Sequence, residues 1–500
     1  MKVTHKTTDI QLPKAVLDTT LNDLYRQAGS EYRNKRIGQV LSSFSALVPP
    51  SSKITPNHKY IYQGGPFTSS KGSRTEKEDS ATAIKYLSLV NQRGAFECGT
   101  APVIFFYMDG DSKKRDHDRK QVAKTSATLP DYQRPQPVFC EGPDSIPINE
   151  TGIDLLACKV VHDSLERHSN VVPLETHWFL NSKRALADSG LPTPKCVIIT
   201  VKGIPKDAQS CCAPCTGSGL DSFVIPGDCT GNRGTWLKEQ SQRIYDALKS
   251  HPLPFVLKSQ ATFGGAGTFI VKTEEQRQKI IDNLGKGFLG RLLSSVNADN
   301  SHLEPATMLL SDMIQNPIGD YGMTVFNNKK GQELVFLGVS KQMIQDGTAW
   351  VGSTIDYRQQ SELRLKFETL TNQILEWLQS YEYIGPAGAD VLEDADCFHV
   401  VDLNVRTTDS CYLPLLRKHF TNRELYIASS FSTDVQQRRD EFLDMFKAEF
   451  QDGRMCVISW YEDQEKGSSL AELVIGGGEG DDRLKELMDR VNEMSKSVTF

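Results

Sequence analysis

Apolar positions along this chain fall into two rhythms, and their alternation predicts an α/β protein. "APVIFFYMDGD" is a continuous apolar run closed by Asp/Gly, the pattern of a strand covered on both faces of a parallel sheet. Before it, "YQGGPFTSSKGSRTEKEDSATAIKYLSLVNQRG" runs from a Gly/Ser/Lys-rich loop into an amphipathic helix with Ile84, Leu87 and Val90 on one face. The charged, proline-bearing "SKKRDHDRKQVAKTSATLPDYQRPQP" predicts a long loop, and "GIDLLACKVVHDSLERHSNVV" returns to helix and strand. In "NSKRALADSG" either Asn181 or Ser182 can cap a helix that Gly190 ends, with the strand "CVIIT" beyond. "TWLKEQSQRIYDALKS" reads as a helix, "PFVLKSQ" and "TFIVKT" as strands, and "EEQRQKIIDNLGKG" as a helix. "ATMLLSDMI" and "MTVFNNKKGQELVFLGVSKQMI" are strands, the second folded at a turn over residues 328–331. "SELRLKFETLTNQILEWLQSY" is a long amphipathic helix, and "GPAGADVLEDADCFHVVDLNVR" a second hairpin.

These elements group into an α/β domain over 1–178, a module over 179–435 and a smaller α/β segment over 436–500, with no internal repeat. Within the module, residues 203–234 are a Gly/Pro/Ser/Cys-rich insertion, and about 253–315 form a lobe bearing a glycine-rich stretch. At 500 residues several cores are expected. A net charge of −6 leaves no basic footprint for nucleic acid. No apolar run approaches the roughly 18 residues of a membrane span, and "MKVTHKTTDIQLPKAV" has no secretion-type apolar segment, so a cytoplasmic protein is expected. Eleven scattered cysteines predict free thiols rather than a disulfide framework. Cys211, Cys212 and Cys215 contain one CxxC, with Cys229 beyond and no second CxxC or His pair. They read as free thiols in a mobile loop, with a metal site as the alternative.

Candidate chemistry centres on "KSQATFGGAGTFIV", with Gly264, Gly265 and Gly267 between two apolar runs. A Walker A loop would need a lysine at its conserved spacing and a following helix, and this stretch has neither. A dinucleotide fingerprint would need a third glycine where Ile270 stands. What remains is a glycine flap joining antiparallel strands, able to lay backbone N–H groups over phosphates, or a plain β-turn. Lys258 sits inside an apolar strand, where a cation either meets an anion or points to solvent. Downstream, Asp402 and Asn404 are two apart in "VVDLNVR" and leave one face of a strand, and the hairpin turn brings Asp390 opposite them. Three oxygen donors on a sheet suit Mg²⁺ completed by water and phosphates; the alternative is a solvent-facing edge.

In this order the motifs resemble the ATP-grasp family of carboxylate–amine ligases over about 181–430. "NSKRALADSGLPTP" is similar to the family's opening helix, "PFVLKSQATFGGAGTFIV" to its lysine strand and flap, "LLSDMIQNPIGDYGMTVF" to its adenine hinge and ribose acid, and "GADVLED…FHVVDLNVR" to its metal-binding strands. The resemblance implies two α+β lobes clamping ATP behind a preceding α/β domain, with Mg²⁺ as cofactor. It assigns Lys183 and Lys258 to phosphates or adenine, and Gly264, Gly265, Gly267 and Thr268 to the flap. Backbone groups of Met313 and Ile314 would meet adenine, Asp320 ribose, and Lys341 the γ-phosphate side. Asp390, Asp402 and Asn404 would hold Mg²⁺, and Arg406 would neutralise the transferring phosphoryl group. Asp402 replaces the usual glutamate, and Ser311 and Asp312 replace the usual hinge Glu or Gln. The implied activity joins a small-molecule carboxylate to an amine, with peptide or amino-acid ligases of natural-product pathways, fungal ones included, as the similar class and a homodimer allowed. The alternative is an ATP-binding scaffold without ligase activity.

Overall fold

The computed structural model describes residues 12–42, 54, 57–63, 88–107, 111–217, 225–262, 267–345, 349–463, 467–478 and 482–495. Among the described residues the strands form three sheets. The first holds β1 (Ile37–Val40), β2 (Pro102–Phe106), β3 (Gln136–Cys140) and β4 (Leu155–Cys158) in the order β3-β2-β1-β4, all parallel. β2 is the continuous apolar run, and alternation sends Ile104 and Phe106 into one core and Val103 and Phe105 into another. Two-sided burial of this kind is why the run carries no polar phase.

The helix expected upstream is described from residue 88, with Leu89 and Val90 buried; Ile84 and Leu87 lie outside the described residues. The charged stretch expected to be a loop instead forms the helix Ser112–Ser126. Asp111 caps it by accepting the Lys113 N–H at 2.8 Å, and Lys114 pairs with Asp118 one turn on. Its buried face is His117, Gln121, Val122 and Thr125, so its inward stripe is mostly polar and leaves no apolar rhythm to read.

A small antiparallel sheet, in the order β5-β8-β6-β7, holds β5 (Cys196–Ile199), β6 (Phe255–Ser259), β7 (Thr268–Val271) and β8 (Met308–Asp312). Phe255 and Leu257 pack with Ile244 and Leu248 of the helix Asn232–Ser250, so the alternate residues Val256 and Lys258 take the opposite face. The third sheet has eight antiparallel strands: β9 (Gly319–Asn327), β10 (Val335–Gln345), β11 (Ala349–Asp356), β12 (Gly385–Glu393), β13 (Phe398–Asn404), β14 (Ile427–Val435), β15 (Met455–Asp463) and β16 (Ser468–Gly477). Their order is β13-β12-β9-β10-β11-β14-β16-β15. Leu370, Ile374 and Leu378 of the helix Glu368–Ser380 cover Met323, Val325, Ala387, Ala389 and Leu403 on one face. A parallel-sheet domain followed by small and large antiparallel sheets is the mixed α/β architecture that the sequence implies. Residues 436–500, expected as a segment of their own, supply β15 and β16 to the large sheet, because β16 pairs with β14 along its length from Ile427 to Val435. Composition marks a boundary there, and a ladder between distant strands crosses it.

A buried charge network ties the first domain to the large sheet. Arg93 reaches Asp409 at 2.5 Å and Glu472 at 3.5 Å, Lys159 reaches Asp409 at 2.9 Å, and Tyr412 Oη donates to Glu472 at 2.5 Å. Glu472 is fully enclosed and Arg93 nearly so. Removing one member strands its partners without water. Arg93→Met is expected to destabilise the protein by about 3–5 kcal/mol. In the double variant with Glu472→Gln the loss is smaller than the sum of the single losses, a coupling that urea unfolding of the four proteins measures.

Candidate active site

The site is built on the β12–β13 hairpin. Its turn is fixed by Asp394, which accepts the N–H groups of Asp396 and Cys397 at 2.9 Å each. In the resulting register Asp390 lies opposite Asp402, and Gly388 opposite Asn404. Asp390, Asp402 and Asn404 therefore share one face, while Ala389, Leu403 and Val405 fill the core on the other. A bulge makes this possible: Asp390 pairs with Asp402 and Val391 with Val400, which leaves Val401 as an extra residue outside the ladder. Its carbonyl accepts the Lys258 ammonium at 2.6 Å, so β6 of the small sheet is tied to β13 of the large one.

A second lysine arrives from the connection between the first domain and the small sheet. Ser182 accepts the Ala185 N–H at 3.2 Å and starts the helix Lys183–Ala187. The Lys183 N–H donates to the Gln260 carbonyl at 2.8 Å, and its ammonium forms an ion pair with Asp402. Arg406 follows Asn404 by two residues, and its guanidinium donates to Asn181 Oδ1 at 3.1 Å. The same Asn181 oxygen accepts the Val405 N–H at 3.0 Å, and the His177 ring meets the Val405 carbonyl at 3.0 Å. "NSK" thus both supplies Lys183 and holds the strand end that carries Arg406.

Charge sets the protonation pattern. Burial, and then the facing Asp402 carboxylate, push Asp390 up to about 7, against a hydrogen bond from Gln342 Nε2 at 2.5 Å. Burial also works against an ionised Asp402, but Lys183, Lys258 and Arg406 outweigh it and hold its carboxyl below the usual range. Burial lowers Lys258, with the Asp402 charge opposing. Three oxygen donors ringed by three cationic groups can accept a divalent cation and a polyanion together, each relieving what the other leaves unbalanced.

Other expected residues distribute unevenly. Asp320 lies on the Asp390 face of β9, two residues from Gly322, which pairs with Asp390; burial raises its carboxyl. Thr268 pairs with Lys258 across β6 and β7, and the Gly267 carbonyl accepts the Ser259 N–H at 2.9 Å at the base of the glycine stretch. Gly264 and Gly265 lie outside the described residues. Met313 and Ile314 lie in the connection from β8 to β9. Lys341 is not brought to the site: it is exposed and pairs with Tyr321, a residue of the opposite, core face. Its neighbour Gln342 takes the inward position because Ser340 pairs with Gly322, which fixes the phase of β10. Gln342, Asn181, Gln260 and His177 are the residues that sequence reasoning missed. Counting alternation forward from apolar Val339 would have found Gln342.

No family model matches the chain, and no curated protein matches it. Solved structures similar to it include N5-carboxyaminoimidazole synthetase from Staphylococcus aureus complexed with ADP, at 10% identity over 91% of this chain and 96% of that one, with a TM-score of 0.46. L-amino acid ligase from Bacillus licheniformis is similar at 10% identity over 92% and 98%, with a TM-score of 0.45. The biotin carboxylase domain of the Hydrogenobacter thermophilus 2-oxoglutarate carboxylase is similar at 13% identity over 79% and 84%, with a TM-score of 0.41.

His177 gives this region a pH signature. Burial lowers its ring to about 4, so the folded protein keeps it neutral where the unfolded chain takes up a proton. Stability is therefore expected to fall as pH drops from about 6.5 to 4, by about 2–3 kcal/mol from this residue. Urea unfolding across that window checks it: the slope flattens in His177→Gln.

Proposed function

We propose that the chain is an ATP- and Mg²⁺-dependent ligase of the ATP-grasp type, joining a small-molecule carboxylate to an amine with release of ADP and phosphate. The observation that carries this reading is the meeting of two lysines from different elements beside the Asp390–Asp402 pair, Lys183 on Asp402 itself and Lys258 on the adjoining Val401 carbonyl. The donor set fits Mg²⁺: Asp390, Asp402 and Asn404 are hard oxygen ligands on a rigid hairpin. Asp390 is pushed up by burial and then by the Asp402 charge, both of which a bound divalent cation would offset. These three residues would hold the ion, which supplies neutralisation of the charge spread over the phosphoryl oxygens.

The protein's own groups do the rest. Lys183 and Lys258 bind the α- and β-phosphates; Lys183 exchanges a carboxylate for a phosphate, and Asp402 would then be free to hold the ion. Gly267 and Thr268, at the base of the glycine stretch, border the reacting groups on the side from which water must be excluded. Backbone groups of Met313 and Ile314 take the adenine edge, and Asp320 takes the ribose. The substrate carboxylate oxygen bonds to the γ-phosphorus as the bond to the ADP oxygen breaks, giving an acylphosphate. Arg406, held by Asn181, neutralises the transferring group and then the tetrahedral intermediate formed when the amine nitrogen attacks the acyl carbon. That nitrogen loses a proton and phosphate departs, leaving the amide. Gln342 orients Asp390, and no step uses Lys341. Amino acids are the first substrates to offer, as acid and as amine.

Incubation with ATP, Mg²⁺ and pooled amino acids is expected to release phosphate only when an acid and an amine are both present. Nucleotide binding without turnover in any pool would instead indicate a scaffold. Asp402→Ala and Asn404→Ala should each lower kcat by about 10²-fold or more, Asn404→Ala with the urea midpoint little changed and Asp402→Ala with a lowered one because it strands the buried Lys183 ammonium, while Lys341→Ala stays close to the parent. Full activity in the first two variants would remove the metal assignment.

A further inference from the structure

The insertion before the helix Asn232–Ser250 contains a feature that the ligase reading does not use. Cys211 and Cys212 follow a short turn at Ala208–Ser210, Cys215 lies in the helix Ala213–Gly217, and Cys229 comes back from a distance in sequence to meet all three. Its sulfur is 3.6 Å from that of Cys211, 3.5 Å from Cys212 and 3.4 Å from Cys215, and the four sulfurs lie within 4.8 Å of one another. A disulfide needs about 2.05 Å, and no pair approaches it. Four thiolates around one ion with metal–sulfur bonds of about 2.3 Å form a tetrahedron with edges of about 3.8 Å, close to the spacing found. A polynuclear iron–sulfur cluster places irons and sulfides between its cysteines and would spread them wider.

The backbone is shaped around these sulfurs. The Gly234 N–H donates to Cys229 Sγ at 3.2 Å and the Arg233 N–H to Cys211 Sγ at 3.4 Å, the kind of donors that offset charge on thiolate ligands. A Cβ at Gly231 would stand 2.5 Å from Cys211 Sγ, and one at Gly234 would stand 2.1 Å from the Cys229 carbonyl oxygen. Only glycine allows the chain so close. Arg233 is 5% exposed and its side chain hydrogen-bonds Cys215, placing a cation beside a cluster that would carry net negative charge. Ile225, Ala208, Trp236 and Leu237 pack beside it, and four sulfurs at these spacings leave no ligand position for the water that a catalytic metal would need.

We propose that Cys211, Cys212, Cys215 and Cys229 bind one Zn²⁺ in a closed, structural site. Soft thiolates in a tetrahedral set select this ion over the hard cation of the sheet site. The sequence missed it because the fourth ligand follows 13 intervening residues without a CxxC of its own, so only folding brings it to the other three. The ion would fasten the insertion to the first turn of the helix Asn232–Ser250, whose Ile244 and Leu248 support the small sheet. With so small an apolar cluster, metal binding is what gives this insertion its fold.

Elemental analysis of the full chain, purified under reducing conditions without added metal, is expected to give about one zinc per chain. Replacement by Co²⁺ should give the intense sulfur-to-cobalt absorption and visible bands of a tetrahedral thiolate site. Cys229→Ser and Cys215→Ser should retain only a small fraction of the metal, and Cys397→Ser, exposed on the β12–β13 turn, all of it. If the first two variants do not fold, the cobalt spectrum of the parent chain decides alone. A metal-free chain whose four cysteines react as thiols, disulfides among them by mass spectrometry, iron in place of zinc, or full zinc retention in a folded Cys229→Ser would each overturn the proposal.

Discussion

Everything in the central cleft depends on two carboxylates facing each other across one rung of a β ladder. Asp390 and Asp402 cannot both be ionised there without compensation, and the large sheet cannot supply it from its own strands. Compensation comes from Arg406 just past β13 and from two groups outside the sheet, Lys183 from the connection after the first domain and Lys258 from the small sheet. Three parts of the fold thereby meet at one point, and apolar clusters also cross between them: Phe326 and Ile384 pack with Val103 and Phe105 of the first domain, and Ala261 and Leu303 with Ile104 and Phe106. Apolar contact joins the parts, and these ion contacts fix the donor groups where the parts meet.

The supporting residues follow the same economy. Asn181 serves both Val405 and Arg406, so one amide sets the end of β13 and the direction of the guanidinium. A few positions further on, Asp409 is gripped by Arg93 and Lys159 of the first domain. The strand that presents Asp402 and Asn404 is consequently held soon after it ends by groups hundreds of residues away in sequence. Rigid placement of oxygen donors asks for such anchoring, because a carboxylate on a loose edge strand would turn to solvent.

What could be read from the sequence was whatever a single segment determines. The run "PVIFF" states its two-sided burial, and "VVDLNVR" with "GADVLED" states which side chains share a face, since both follow from alternation along one strand or hairpin. The rest depended on partners. Lys341 and Gln342 exchange places because Val339 turns to the core opposite Met323 and Ser340 pairs with Gly322, a phase that β9 selects. The helix Ser112–Ser126 was hidden because its buried face is largely polar, and the membership of β15 and β16 because their ladder partner β14 lies before the apparent boundary. The cysteine quartet belongs to the same group, being made by a chain reversal rather than by a spacing.

The bulge at Val401 has a consequence for how this hairpin tolerates change. Deleting that residue would restore a regular ladder with Asp402 still opposite Asp390, so the carboxylates would keep their face. Lys258 would lose the carbonyl it holds, and the small sheet its tether. Inserting a residue between Asp402 and Asn404 would do the reverse, leaving the tether and sending the amide into the core. Length variation on this strand therefore separates two properties, the joining of the lobes and the composition of the donor set, that no single side-chain replacement can part so cleanly.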